Sequence, residues 1–124
     1  MKRVLLFLGI FAFATAFKIQ PFEDVIKAIK SGDASQVSQY FDNTLEITFA
    51  DKSSSYNRNQ AEEALQSFFS SNAVKDFEIL HTSDNAGAKY CIGNLKTANG
   101  TYRTTIFMKQ KGNKTLLQEL RFEK

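Results

Sequence analysis

The chemistry open to this chain is narrow. It has one histidine, His81, and one cysteine, Cys91. Acid–base catalysis needs titratable groups beside neighbours that tune them, and a zinc site needs several His, Cys or carboxylate ligands converging. No such cluster is present, and no metal or cofactor is expected. There is no glycine-rich phosphate loop and no Gly-x-Ser-x-Gly turn around a nucleophile. Ser53-Ser54-Ser55 reads as a polar turn rather than a nucleophile with a base. Asn99-Gly100-Thr101 and Asn113-Lys114-Thr115 match the glycosylation pattern, but both also read as turn chemistry. What remains is a small polar set, Tyr102, Thr104 and Gln118, on strands that could line a pocket, with His81 reaching its mouth. No catalytic residue is assigned. A single cysteine excludes an internal disulfide, and its strand position turns it toward the core as an inert thiol.

Those groups are positioned by a short series of elements. Pro21-Phe22 opens a helix whose Phe22, Val25, Ile26 and Ile29 fall on one face. Ser31-Gly32 stops it. Asp33 can cap a second short helix carrying Val37, Tyr40 and Phe41. Leu45, Ile47 and Phe49 alternate with Glu46, Thr48 and Ala50 as a half-buried strand, and Tyr56 closes a short return. Asn59 followed by Glu62 resembles a capping box for a third helix presenting Ala61, Ala64, Leu65, Phe68 and Phe69. Four strands then follow: Phe77–His81, Lys89–Thr97, Thr101–Lys109 and Thr115–Phe122. There is no repeat, low-complexity tract or linker.

The turns assign the faces of the sheet. Asn99-Gly100 as a two-residue type I′ turn pairs Leu95 with Thr104, Gly93 with Ile106 and Cys91 with Met108. A three-residue loop Lys111-Gly112-Asn113 then brings Leu116, Gln118, Leu120 and Phe122 to the same side. That side is mostly oily, with Gly93 leaving space. The other side carries Tyr90, Ile92, Phe107 and Leu117 as an apolar strip in a charged border. Such a strip suggests a protein contact, most simply a symmetric dimer.

The N-terminus carries an address. Lys2 and Arg3 precede an apolar run from Val4 to Phe13, and Ala14-Thr15-Ala16 offers a small-residue cleavage site. This is the layout of a secretory signal peptide, too short for a membrane span of about 20 residues. The expectation is a signal over residues 1–16 and a single domain over 17–124, periplasmic or secreted, with no membrane insertion once the signal is removed. Lys2 and Arg3 supply two of the sixteen basic residues. Without them the balance against thirteen acidic residues is +1, which gives no ground for nucleic-acid binding.

Several phrases carry a family resemblance: Pro21-Phe22-Glu23, Ser31-Gly32-Asp33, Thr48-Phe49-Ala50-Asp51-Lys52, Tyr90-Cys91-Ile92-Gly93, Asn99-Gly100-Thr101-Tyr102-Arg103 and Gln118-Glu119-Leu120-Arg121-Phe122. On these residues the chain resembles a family of small exported bacterial proteins known only as a domain of unknown function, number 4783. It also resembles the wider nuclear-transport-factor-2-like (NTF2-like) superfamily. The resemblance implies an α+β, cystatin-like cone, with three helices from the N-terminal half packed on a curved, mainly antiparallel sheet. It carries no catalytic residues over. Superfamily enzymes such as ketosteroid isomerases place carboxylates and tyrosines in the cavity, and only Tyr102 matches in kind. The expected role is therefore a non-catalytic module. It would dimerise or bind an envelope protein through its outer face and hold a small apolar ligand in its cavity. The alternative is a small isomerase, dehydratase or hydrolase using Tyr102 with His81 or a carboxylate.

Overall fold

Helix α1 (Pro21–Ser31) begins the computed structural model, which describes residues 21–124. The expected export signal lies outside the described residues. Val25, Ala28 and Ile29 are buried on one stripe of α1, with Phe22 and Ile26 packed at its margin. Gly32 ends the helix at φ +68. Its amide bonds the Ile29 carbonyl and that of Asp33 bonds Ala28, both at 3.0 Å, a Schellman closure that needs a residue free to be left-handed. Asp33 caps α2 (Ala34–Ser38) by accepting from the Gln36 amide at 3.1 Å.

Strand β1 (Phe41–Phe49) starts earlier than the alternation implied. Phe41 belongs to it rather than to the second helix, and is fully buried beside Leu117. A tight turn at Ala50, φ +60, leads into β2 (Lys52–Asn57), which pairs with β1 from Phe49–Lys52 to Thr44–Asn57. Its serines therefore form an edge strand rather than a loop. Helix α3 (Arg58–Ser71) is capped two residues earlier than the Asn59 reading. Asn57 accepts from the Gln60 amide at 2.9 Å, and the Gln60 side chain accepts from the Asn57 amide at 3.1 Å. Strands β3 (Val74–Asn85), β4 (Ala88–Thr97), β5 (Gly100–Lys111) and β6 (Lys114–Glu123) complete one six-stranded sheet, ordered β2-β1-β6-β5-β4-β3. Among the described strands, only β1 and β6 run parallel. The helices cover one face, and the core lies between.

Three differences from the expected strand pairing bear on the candidate site. First, the β4–β5 register is Thr97–Gly100, two residues from the expected pairing. Ala98 and Asn99 form the loop, and Gly100 carries the positive φ of +114. Thr97 Oγ1 accepts from the Asn99 amide at 3.1 Å and donates to the Gly100 carbonyl at 2.8 Å. A shift of two preserves the faces. The turn with positive φ at both central residues is instead Ala86-Gly87, between Asn85 and Ala88.

Second, the β5–β6 loop is the two-residue Gly112-Asn113, not a three-residue one. The odd residue enters as a bulge at Gln118, because Phe107 pairs with Glu119 and Met108 with Leu117. Leu120 and Phe122 reach the core as expected. Leu116 and Leu117 exchange faces, and Leu117 is 0% exposed inside. Third, β3 bulges at Leu80, between Ile79–Gly93 and His81–Ile92. The extra residue reverses the alternation, so His81 shares the outer face with Ile92 instead of the inner face with Phe77 and Ile79.

Candidate functional site

On the inner face, the groups expected to line a pocket are engaged in packing. Tyr102 is 8% exposed, and its hydroxyl donates to Asn72 Oδ1 at 3.0 Å. Asn72 follows the last turn of α3, and its side-chain amide donates to the Phe68 carbonyl at 3.0 Å. Asn99 Nδ2 reaches the same Oδ1 at 3.1 Å and the Ser71 carbonyl at 2.6 Å. Lys124 Nζ sits 5.2 Å above the Tyr102 ring and bonds the Asn99 carbonyl at 2.9 Å. Thr104 is 0% exposed and donates to the Tyr102 carbonyl at 3.1 Å. Each buried hydroxyl therefore has a partner, as burial requires.

Gly93 does not leave space. A Cβ there would lie 2.5 Å from the Glu78 carbonyl oxygen and 2.6 Å from Phe77 Cζ. The glycine lets the Phe77 ring and the β3 backbone close onto β4. Further along, Phe68 stacks on Phe122 at 4.6 Å and lies 5.2 Å from Phe49, while Tyr102 meets Phe68 edge-on at 5.1 Å. These rings pack against the core, and their stacked, tilted and edge-on geometry suits aromatic packing. Cys91 is fully buried, and desolvation pushes its thiol up to about 11, which keeps it protonated.

Gln118 sits apart from this cluster, on the bulge, with Nε2 donating to Asp42 Oδ2 at 2.9 Å. Asp42 is 6% exposed and takes Lys111 Nζ at 2.8 Å and the Asn43 amide at 2.7 Å. The Lys111 contact, with the two hydrogen bonds, holds its carboxyl below the usual carboxylate range against the opposing cost of burial. His81 is exposed on the opposite face. So Tyr102 and Thr104 are neighbours, while Gln118 and His81 join neither them nor each other. Among the described residues no group of three or more His, Cys, Asp or Glu gathers as a metal cluster.

The outer face of the sheet is different. Tyr90 and Phe107 are direct cross-strand partners, stacked at 4.6 Å with ring planes 29° apart. Tyr90 is 40% exposed; Phe107 and Ile92 are half-buried. Leu117 drops out of this strip because of the bulge. Charges of both signs border the strip. Glu46 lies beside Glu119 across the parallel β1–β6 pair, and Arg121 bridges Glu119 at 3.4 Å and Glu123 at 3.0 Å. Arg103 on β5 lies opposite Glu123, and Lys109 follows Phe107 two residues along the same strand. Asn72, Asp42 and the Phe49–Phe68–Phe122 cluster were not singled out in the sequence. Only the Asn at the end of α3 had a local signal, as a helix-terminating residue.

The family model described as Domain of unknown function (DUF4783) matches residues 22–123, and the chain belongs to that family. Two of its members have crystal structures close to this one. The protein from Bacteroides fragilis YCH46 is 33% identical with a TM-score of 0.77, covering 82% of this chain and 95% of that one. The protein from Bacteroides ovatus ATCC 8483 is 31% identical with a TM-score of 0.78, covering 82% and 92%. At the level of fold alone, a structure described as "Rd1NTF2_04 with long sheet" is 15% identical with a TM-score of 0.65, covering 82% and 95%. The fold is thus NTF2-like, and the family's function is unknown. None of the curated proteins matches the chain.

Proposed function

We propose that this chain is an exported, non-catalytic interaction module that pairs with a second copy of itself through the outer face of its sheet. The observation that carries the reading is the stacked Tyr90–Phe107 pair, left half-exposed beside Ile92 on a face that none of the described helices covers. Apolar side chains grouped on a solvated face favour contact with another surface. A second copy is the simplest partner, because a two-fold axis sets the same apolar patch against itself. Charges of both signs border the patch in each copy, with Arg103 opposite Glu123 and Arg121 bridging Glu119 and Glu123. The export part of the reading rests on the residue pattern of the first sixteen positions. Among the described residues, no helix is long and apolar enough to cross a membrane.

An enzyme using Tyr102 with His81 finds little support. The Tyr102 hydroxyl is held by Asn72, and His81 lies on the far side of the sheet. Mass in solution by light scattering tests the pairing. Wild type should weigh two chains, and Phe107→Glu should weigh one with an unchanged circular dichroism spectrum. A wild type that stays monomeric at high concentration overturns the reading.

A further inference from the structure

A second feature, independent of the pairing face, lies at the β5–β6 hairpin end of the sheet, away from Tyr102. A cleft of about 370 Å³ opens there between Pro21 of α1, Tyr40, Arg58 and the hairpin residues Asn113–Leu116. Its floor is fixed by two main-chain anchors. The Leu117 amide bonds the Tyr40 carbonyl at 2.6 Å, and Arg58 Nε donates to the Phe41 carbonyl at 3.3 Å. That bond holds the guanidinium stem and leaves its terminal nitrogens without a partner among the described residues. Lys114 on the opposite wall also has no carboxylate or hydrogen-bond partner among them.

Neither Asp24 nor Asp42 lines the cleft. Asp24 accepts from the Tyr40 hydroxyl at 3.2 Å, and Asp42 is held by Lys111, Gln118 and the Asn43 amide. The first twenty residues contain no aspartate or glutamate that could neutralise the cleft. Two cations therefore line one concavity whose described lining holds no carboxylate, beside the apolar surfaces of Pro21, Leu116 and the Tyr40 ring.

We infer that this cleft binds a small organic anion, a carboxylate or phosphate head on a compact apolar body. The arginine fork suits either head group, because two parallel N–H groups match two oxygens. Lysine adds a point charge, and the apolar surfaces take the body. The volume falls at the small end of ligand sites, about 300–1,000 Å³.

The test is an amide-resolved NMR titration of the signal-free chain with phenyl phosphate, benzoate, inorganic phosphate and benzyl alcohol. Phenyl phosphate and benzoate should shift Arg58 and residues 113–116, and the tighter of the two identifies the head group. Inorganic phosphate, lacking the body, and benzyl alcohol, lacking the charge, should each bind at least about tenfold more weakly. Arg58→Gln and Lys114→Gln should each weaken anion binding by about tenfold, while Lys75→Gln on β3 leaves it unchanged. Lys114 is exposed and bonds nothing in the fold, so its variant stays informative if Arg58→Gln unfolds. No shift at millimolar anion, equal binding of benzyl alcohol, or binding indifferent to Lys114→Gln would each overturn the inference.

Discussion

The two faces of this sheet are built from similar side chains used in opposite ways. The inner face buries Leu95, Ile106, Met108, Leu117, Leu120 and Phe122 to 0% exposure and satisfies its few hydroxyls internally. The outer face leaves Tyr90, Ile92 and Phe107 partly in water within a border of mixed charges. Between helices and sheet, an aromatic cluster and the close Gly93–Phe77 contact pack the interior. The lesson is that polarity alone does not mark a site. Tyr102 and Thr104 are buried polar residues on the inner face, and their hydrogen bonds are spent inside the fold.

Substitutions can break or sharpen that contrast. The largest expected effect is Phe122→Ala, which removes a ring packed against Phe49, Phe68 and Phe69 and should cost about 3–5 kcal/mol in urea unfolding. Phe107→Ala on the outer face should cost the single subunit only about 1 kcal/mol, because its ring is half-buried. Equal costs would erase the distinction. Gly93→Ala comes next. Its Cβ meets backbone as well as the Phe77 ring, so destabilisation of about 1–3 kcal/mol is expected. A neutral result would mean the inner face holds open space after all.

Asp42 probes the rim between the faces. Its folded carboxyl sits below its unfolded value of about 3.9, so it stabilises the fold above that pH. That contribution is lost as pH falls through the lowered folded value. Asp42→Asn should lower stability at neutral pH by about 1–3 kcal/mol and flatten the acid limb of the wild-type profile. An unchanged acid limb would remove Asp42 from the account. Tyr102→Phe should cost about 0.5–1.5 kcal/mol, softened because Asn99 still donates to Asn72 Oδ1. Smallest, and in the other direction, Ala86→Asn should stabilise by about 0.5–1 kcal/mol, since Ala86 holds φ +54 and asparagine tolerates that region. Thermal melts resolve both.

Much of this architecture was legible in the residues. The α1 stripe, the Gly32 stop, the Asp33 cap and the inward set from Cys91 to Met108 follow from periods of 3.6 and 2, which local composition records. The errors about which face a side chain takes share one cause. A bulge adds a residue without changing composition, and every side chain beyond it changes face. The bulge at Leu80 moved His81 outward, and the one at Gln118 moved Leu117 inward. Gly93 was misread for a related reason. A strand glycine marks either a void or a close approach, and only the neighbouring Phe77 and β3 backbone decide which. The Arg58–Lys114 cleft joins residues far apart in sequence, so no local pattern could have announced it.

The central claim is that the outer face, not the interior, meets other molecules. A dilution series followed by NMR, with methyl and aromatic resonances assigned, tests it most directly. The account predicts concentration-dependent shifts at Tyr90, Ile92 and Phe107, with Ile106, Leu120 and Phe122 unmoved. Shifts that gather on the inner face, or none at any concentration, would contradict it.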